Sequence, residues 1–340
     1  MYAMRKKLKI PNNRVLGIVG FIVVILVILL YLFCIRSVVS HDVTFELSRG
    51  TTVSAVATQL NAMGAIDMPG LFKIAVRGNG GQIQSGLYDI PRGTSVWRIA
   101  RMFANGDVAS TTIVIPEGLT VQQIKRLLLD ESGLTGGVEC GPGTDLPVCD
   151  LHDGDLFPDT YRVARGTSRL AVLDLMRKKM LDLRHNWERG GAIAPRPLKS
   201  WNDVVTLASI VQKETPKKSE MPIVASVYLN RLRDNMRLQA DPTVVYAVTR
   251  GLGDMQGRPL LREYLKTDSP YNTYTNRGLP PAPIANVGRD AIYAVLQPAD
   301  TNYLFFVADG TGGHRFSSSY DEHMKNHANW RVIKKIQNQK

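Results

Sequence analysis

The sequence predicts an α+β protein that follows one N-terminal membrane helix. Three observations carry this prediction: an uncharged apolar run at residues 15–35, short strand-like runs that each precede an amphipathic helix, and longer helices with Pro- and Gly-rich connections from about residue 113. The chain has 340 residues, of which 44% are hydrophobic. It is therefore long enough for two modest domains and too apolar for a disordered protein.

The apolar run at residues 15–35 is predicted to cross a membrane, because 21 uncharged residues in a helix span a hydrocarbon core of about 30 Å. Five positive charges in the basic tail at residues 1–14 place the N-terminus in the cytoplasm and the chain after a linker at residues 36–42 outside it. The alternative is a cleaved signal peptide. The run is longer than the usual roughly 7–15 apolar residues of such a peptide, and no small-residue cleavage site precedes Arg36.

The net charge of +12 does not indicate a nucleic-acid-binding protein. Nine of the basic residues lie in the tails at residues 1–14 and 331–340, which contain no acidic residue, and 33 basic against 30 acidic residues remain between them. A nucleic-acid interface needs its basic residues on a folded face. We expect no nucleic acid among the partners.

A short signature recurs three times after the linker. Each copy reads as a strand, a Gly turn, a Thr or Ser helix cap and an amphipathic helix. The copies lie at 49–60, 92–103 and 117–128, and the strand-like runs before them at 43–47, 86–90 and 112–115. The pattern at residues 43–112 resembles the LysM-like modules that bind N-acetylglucosamine-containing glycans; a packing motif without a ligand is the alternative.

Cys140 and Cys149 flank a Gly- and Pro-rich loop on the side of the membrane where disulfides persist. A disulfide that closes this loop is one prediction, and two free thiols are the alternative. Neither cysteine has the sequence context of a nucleophile.

A helix is predicted over Trp201–Glu214. Ser200 and Asp203 form a capping box at its start, and Pro216 stops it. Near the C-terminus, 303–307 and 313–317 are predicted to pair as a β-hairpin, and the chain from Tyr320 is predicted to be helical.

Glu214 is the candidate acid of this helix. Leu207, Ile210 and Val211 precede it by seven, four and three residues, so the carboxyl group projects from the apolar face. Desolvation and the negative end of the helix dipole both disfavour its charged form, which is the condition for a general acid near neutral pH. The alternative is a frayed helix end at which Glu214 is solvated or pairs with Lys217 or Lys218.

The segments after this helix are rich in amides and aromatic rings beside prolines. Flat rings next to amides and hydroxyls in rigid loops are typical of carbohydrate clefts, because a sugar has one apolar face and a rim of hydroxyls. Ordinary loop chemistry with core tyrosines is the alternative.

Several motifs in order resemble the MltG (YceG-like) endolytic murein transglycosylase family. They are LFPDTY at 156–161, LASIVQKET at 207–215, ASVYLNRL at 225–232, MRLQADPTVVYAV at 236–248, YNTY at 271–274, GLPPAPIAN at 278–286 and YLFFVADGTGGHRF at 303–316. The resemblance covers almost the whole chain and implies a catalytic domain at residues 113–330.

The resemblance implies cleavage of the β-1,4 bond between N-acetylmuramic acid and N-acetylglucosamine inside glycan strands, with a 1,6-anhydromuramoyl end as product. It places the catalytic glutamate on Glu214 and requires no cofactor and no metal. The motifs and the chemistry of their side chains point to six cleft residues: Gln239, Asp241, Tyr271, Asn272, Tyr274 and Asn286. The implied partners are peptidoglycan strands, the membrane and a peptidoglycan synthase of the penicillin-binding type.

Two departures from the family pattern are visible. Gln212 stands where the family commonly has a glutamate, which removes an alternative acid beside Glu214. Asp153 and Asp155 flank Gly154 where the family has Glu and an aromatic residue before Leu-Phe-Pro. The first position keeps a carboxylate on a shorter arm, and the third loses its ring.

Two other functions remain open at this level. A hydrolase that uses Glu214 with Asp241 would bind the same glycan and leave a reducing end. A membrane-anchored glycan-binding protein would bind peptidoglycan without turnover. All three share an expected location in the bacterial inner membrane, with a single span, a cytoplasmic N-terminus and a periplasmic catalytic domain.

Overall fold

The computed structural model describes residues 13–34, 39–142, 144, 146–191, 193–249, 251–252, 255 and 257–337. The chain divides into two compact units. The first is Met1–Thr111 with Ala164–Gly166, and the second is Thr112–Val163 with Thr167–Lys340. Both contain helices and strands, so the mixed α+β class is confirmed.

The first unit contains four helices and one small sheet among the described residues. Its elements are α1 (Asn13–Cys34), β1 (Val43–Leu47), α2 (Val53–Ala62), α3 (Pro69–Gly78), β2 (Gly86–Ile90) and α4 (Val96–Asn105). Strands β1 and β2 are antiparallel, with Val43 opposite Ile90 and Leu47 opposite Gly86. The strand bounds agree with the predicted runs.

The predicted helix caps form in this unit. The side chain of Thr52 accepts from the Ala55 backbone N–H at the start of α2, and that of Ser95 accepts from the Arg98 backbone N–H at the start of α4. Four fully or nearly buried rings form the centre of its core, where Phe103 packs against the other three: Phe45, Phe72 and Tyr88.

The predicted membrane helix coincides with α1, although its side chains are described only at residues 17–29. Within the described residues, no helix is both long and apolar enough to cross a membrane. The membrane span therefore stays a prediction, and residues 1–12 of the basic tail and residues 36–38 of the linker lie outside the described residues.

The second unit contains most of the chain. Its elements are β3 (Ser110–Val114, which begins in the first unit), α5 (Val121–Asp130), β4 (Thr160–Ala164), α6 (Arg169–Arg189), α7 (Trp201–Glu214), α8 (Met221–Arg233), α9 (Asp241–Thr249), α10 (Arg289–Leu296), β5 (Phe305–Ala308), β6 (His314–Ser317) and α11 (Tyr320–Gln337). Strand β3 pairs with β4 and begins two residues earlier than the predicted run at 112–115.

The core of the second unit lies around α7. This helix packs against α8 and α10, and its nine residues from Val204 to Gln212 include no exposed side chain. The capping box of Ser200 and Asp203 is present, and the helix ends at Glu214 as predicted. A helix that is buried on all sides over these residues is the central element of a core rather than a surface helix.

Two further predictions are confirmed in this unit. Cys140 and Cys149 form a disulfide. Strands β5 and β6 form an antiparallel hairpin in which Phe305 lies opposite Ser317 and Ala308 opposite His314.

Candidate active site

Glu214 is the last residue of α7, and the helix presents it as the sequence predicts. Leu207, Ile210 and Val211 are fully buried, whereas the neighbouring Lys213 is exposed. Glu214 itself is only partly exposed, with its carboxyl group surrounded by protein atoms. The frayed, solvated helix end considered above is therefore not what forms.

A tyrosine from the next helix holds the carboxyl group. The hydroxyl of Tyr228, on α8, donates a hydrogen bond of 2.7 Å to Glu214 Oε1. Tyr228 is 1% exposed, so this is a bond between two groups that have lost their water. Its ring lies edge-on against Phe306 of β5, with the ring centres 5.8 Å apart.

The surroundings raise the pKa of Glu214 to about 7. Burial is the largest cause, because it disfavours the carboxylate, and the negative charge of Asp241 acts in the same direction. The Tyr228 hydrogen bond and the positive charge of Arg231 lower this pKa and offset part of the effect. The group is therefore poised to give and to take a proton near neutral pH.

Arg231 is the buried cation near this carboxyl group, and it is 8% exposed. Its guanidinium donates to the backbone carbonyls of Leu304 at 2.6 Å and Leu238 at 2.7 Å. It also lies over the ring of Phe305, 5.3 Å from the ring centre. Burial lowers the pKa of Arg231 from its usual value. Its hydrogen bonds tie α8 to the residue before β5 and to the segment before α9.

Asp241 and Tyr274 form a pair at the same site. The Tyr274 hydroxyl donates to Asp241 Oδ1 at 2.6 Å. Asp241 is exposed and Tyr274 is half-buried. Burial is the largest cause that raises the pKa of Tyr274, and the hydrogen bond to Asp241 and the charges of Asp241 and Glu214 act in the same direction. The predicted residues Glu214, Asp241 and Tyr274 thus lie within electrostatic reach of one another. Gln239 is exposed two residues before Asp241.

Tyr271 belongs to a different group of side chains. Its ring centre lies 4.8 Å from that of Tyr246, and the Tyr246 hydroxyl donates to Asp153 Oδ2 at 2.7 Å. Asp153 also accepts from the Val121 backbone N–H at 2.6 Å, at the start of α5. Burial is the main cause that raises the pKa of Asp153. The aspartate that departs from the family pattern therefore links α5 to the tyrosine pair.

Asn272 and Asn286 were expected to contact substrate, but both are fully buried. The Asn286 amide accepts from the backbone N–H groups of Gly154 and Leu156 and donates to the Leu119 carbonyl, each at 3.0 Å. The Asn272 amide donates to the carbonyls of Leu265 and Thr267. In this conformation no sugar reaches either side chain, so the structure gives them a positioning role.

Gly154, whose backbone N–H donates to Asn286, is packed tightly against Pro283 and α7. Its backbone has φ +94°, and a Cβ at this position would lie 2.7 Å from Pro283 Cγ and 3.0 Å from Val205 Cγ1. Both the conformation and the space therefore require glycine. The loop that follows Pro283 is held against α7, because the Ile284 backbone N–H donates to Ser209 Oγ at 3.0 Å.

Gln212 has a structural partner of its own. Its Oε1 accepts a hydrogen bond of 3.2 Å from the backbone N–H of Gly288, which caps the start of α10. A glutamate would offer the same acceptor oxygen, so the departure from the family pattern conserves this contact.

Sequence reasoning missed Tyr228 and Arg231. Both stand in the ASVYLNRL segment. The prediction of rigid cleft loops after α7 was wrong for this segment, which lies in helix α8. An arginine next to apolar residues was the one signal in the sequence, because arginine is rarely buried unless it is paired. Their roles depend on contacts between separate elements, which helical spacing does not define.

The remaining neighbours of α8 fix its first turn. Glu220 Oε2 lies 2.7 Å from His314 Nδ1 on β6, and Thr215 Oγ1 donates to the same oxygen at 3.5 Å. His314 packs edge-on against Phe306, the ring that also contacts Tyr228. No group of three metal-ligating side chains occurs in the part of the chain that the structure describes.

Similar proteins carry a consistent name. An endolytic murein transglycosylase from Bacillus subtilis is 29% identical over 306 residues, which are 83% of this chain and 83% of that protein. An endolytic murein transglycosylase from Streptococcus pneumoniae is 26% identical over 326 residues, which are 84% of this chain and 57% of that protein. A solved YceG-like protein from Listeria monocytogenes has 27% identity and a TM-score of 0.49, over 84% of this chain and 99% of that one.

The family model described as the YceG-like family matches residues 45–329, which include most of each unit and every residue of the site described above. The chain belongs to the YceG-like family.

Proposed function

We propose that this protein is an endolytic lytic transglycosylase that cleaves peptidoglycan strands. The single observation that carries the proposal is the buried Glu214 carboxyl group, whose pKa of about 7 lets it act first as an acid and then as a base. The names of its relatives support the same activity.

The chemistry needs one carboxyl group. Glu214 donates its proton to the glycosidic oxygen as the bond from the muramoyl C1 to that oxygen breaks. The Glu214 carboxylate then takes the proton of the muramoyl C6 hydroxyl, and the C6 oxygen bonds to C1. The products are a free 4-hydroxyl on the N-acetylglucosamine side and a 1,6-anhydro ring, and no water is consumed.

The groups around Glu214 have distinct parts in this proposal. Tyr228 keeps the carboxyl group in place during both proton transfers, because its hydroxyl donates to Oε1. Asp241 holds negative charge near the site, which favours the positively charged oxocarbenium-like transition state. Tyr274, Tyr271 and Gln239 contact the sugar, whereas Asn272 and Asn286 hold the cleft loops.

We propose further that the region at residues 43–112 is a LysM-like glycan-binding module, and that residues 15–35 anchor the protein in the inner membrane with the catalytic domain in the periplasm. In the first unit, the turns after β1 and before β2 line one pocket, with Arg49, Thr51 and Gln84 on its walls.

The proposed anchor at residues 15–35 would hold the site near new strands and a peptidoglycan synthase, so cleavage would limit strand length.

The test compares Glu214→Gln with the wild-type protein on purified peptidoglycan. The variant keeps the shape of the side chain and loses the proton, so we expect no soluble muropeptides from it and unchanged retention on insoluble peptidoglycan. Asp241→Asn is the matched control and should keep measurable turnover. Turnover by Glu214→Gln would refute the proposal, and equal loss in both variants would favour a two-carboxylate hydrolase. A wild-type protein that binds and never cleaves, even on nascent strands, would be a binding protein.

A further inference from the structure

The segment between α7 and α8 contains a carboxylate that no step of the proposed reaction uses. Glu220 lies directly before α8, and its side chain is 16% exposed. Its Oε2 lies 2.7 Å from His314 Nδ1, and its Oε1 accepts from the His314 backbone N–H at 3.2 Å. A carboxylate only accepts hydrogen bonds, so Nδ1 carries the proton in this pair. Both oxygens of Glu220 therefore hold one residue of strand β6.

The tip of the β5–β6 hairpin leaves room for this carboxylate. A Cβ on Gly313 would lie 2.4 Å from Glu220 Oε1 and 2.5 Å from Lys217 Nζ. Asp309 Oδ1 fixes the tip, because it accepts from the backbone N–H groups of Thr311 at 2.7 Å and Gly313 at 3.1 Å. The lack of a side chain at Gly313 thus allows Glu220 and Lys217 to approach the hairpin closely.

A series of aromatic rings connects this pair to Glu214. The ring of His314 packs edge-on against Phe306 with the ring centres 5.2 Å apart, and Phe306 packs edge-on against Tyr228 at 5.8 Å. Tyr228 donates the hydrogen bond of 2.7 Å to Glu214. The hairpin that Glu220 holds is therefore the one that supports the Tyr228 ring from behind.

A second connection runs through Thr215, the residue after Glu214. Thr215 is 1% exposed, and its hydroxyl donates a long hydrogen bond of 3.5 Å to Glu220 Oε2. The same hydroxyl oxygen accepts from the Lys217 backbone N–H at 3.1 Å. One carboxylate thus contacts both the end of α7 and the hairpin, directly before the start of α8.

We infer that Glu220 is a positioning residue of the active site, which holds the β5–β6 hairpin and the end of α7 so that the Tyr228 hydroxyl stays on the Glu214 carboxyl group. The inference rests on the proposed function and adds to it a residue that acts through another side chain. The charges that shift the pKa of Glu214 are those of Asp241 and Arg231. The charged neighbour of Glu220 besides His314 is Lys217, whose Nζ lies 3.8 Å from Oε1.

Two ways in which Glu220 could act on Glu214 have opposite signs. Loss of the Tyr228 hydrogen bond raises the pKa of Glu214, because that bond stabilises the carboxylate. Loss of a neighbouring negative charge would lower the same pKa. The alkaline limb of kcat/KM follows this pKa, so the direction of its shift identifies the mechanism.

The first test is Gly313→Ala in the full chain. The added methyl group would displace Glu220 Oε1 without any change of charge, and both atoms that it meets are ends of flexible side chains, so we expect the chain to fold. The alkaline limb of kcat/KM for peptidoglycan should move to higher pH by up to about 1 unit, as the loss of a hydrogen bond to a charged group predicts. Gly137→Ala is the matched control, because its Cβ would meet only the Glu139 backbone nitrogen, at 3.9 Å. It should leave the limb in place.

The second test combines Glu220→Gln with Tyr228→Phe. Glu220→Gln alone should move the limb in the same direction as Gly313→Ala. In a chain that already carries Tyr228→Phe it should add no shift, because both substitutions remove the same hydrogen bond. An unmoved limb in Gly313→Ala, with or without a lower melting temperature, would overturn the inference. A shift to lower pH in either variant, or additive shifts in the double variant, would overturn it as well.

Titration of the Glu214 carboxyl group without substrate separates this inference from the proposed function. Its ¹³C NMR signal is identified by its loss in Glu214→Gln, and the pKa of this group should rise in Gly313→Ala as the alkaline limb does. An unchanged pKa would overturn the inference whatever the activity of the protein. The proposed function fails separately if the wild-type protein yields no anhydromuramoyl product.

Discussion

Glu214 is a carboxylic acid on which its neighbours act in opposite directions. Burial and the charge of Asp241 raise its pKa, whereas Tyr228 and Arg231 lower it, and the balance lies at about 7. Helical spacing predicts that this residue faces the apolar side of α7. It cannot predict Tyr228, because residues 214 and 228 meet through the packing of two helices and not through their separation in the sequence.

The first prediction concerns the pH profile of turnover. A general acid must be protonated, so the rate falls as pH rises through the pKa of Glu214. Tyr228→Phe removes a bond that stabilises the carboxylate and should move this alkaline limb to higher pH. Asp241→Asn removes a negative charge that disfavours the carboxylate and should move it to lower pH.

The measurement is kcat/KM between pH 5 and 9 for both variants, because kcat/KM reports the ionisation of the free enzyme. Tyr88→Phe is the control, since it removes a buried hydroxyl of the first unit that donates to the Gln84 carbonyl, and it should leave the limb in place. Shifts of Tyr228→Phe and Asp241→Asn in the same direction would contradict the proposed electrostatic balance.

The elements of the second unit hold the cleft through hydrogen bonds between distant parts of the chain. The bounds of α7 were predicted from its capping box and Pro216, and those of the hairpin to within two residues, because these signals are local. Asn286 was expected to face a sugar and is buried instead. Its partners Gly154 and Leu156 are more than a hundred residues away, so no local pattern reveals them.

Asn286→Ala tests this positioning role. The substitution leaves the buried backbone N–H groups of Gly154 and Leu156 without their partner, whereas the Leu119 carbonyl keeps the backbone N–H of residue 286. Each unsatisfied group costs about 1–3 kcal/mol. We expect the free energy of unfolding of the second unit to fall by at least about 2 kcal/mol, measured by urea denaturation.

Asn276→Ala is the comparison for the Asn286 variant. Its amide donates to the carbonyls of Ser269 and Asn272 on an exposed surface, where water replaces the lost partner. We expect a change below about 1 kcal/mol. If Asn286→Ala left stability unchanged and raised only KM for peptidoglycan, Asn286 would be a substrate contact after all.

The whole molecule combines a predicted membrane segment, a small α+β unit and a larger α+β unit with the candidate site. The family match spans both units. The 21 uncharged residues at 15–35 predict an anchor from composition alone. Both the anchor and the glycan-binding role of the first unit stay predictions.

The anchor prediction is tested by fractionation of cells that produce the full chain or a chain starting at residue 40. We expect the full chain to remain in the membrane pellet after extraction with alkaline carbonate and the shorter chain to be released as a soluble protein. Release of the full chain by carbonate would mean that residues 15–35 do not span the membrane. Equal sedimentation of both chains would place the membrane contact elsewhere in the protein.

The central claim is that Glu214 alone moves both protons and that no water enters the product. The most direct measurement is mass spectrometry of muropeptides released by the wild-type protein in water enriched in ¹⁸O. We expect 1,6-anhydromuramoyl ends without ¹⁸O, because the attacking oxygen is the C6 hydroxyl of the sugar itself. Reducing ends that carry ¹⁸O would show that water attacks C1, and they would contradict the single-carboxyl mechanism.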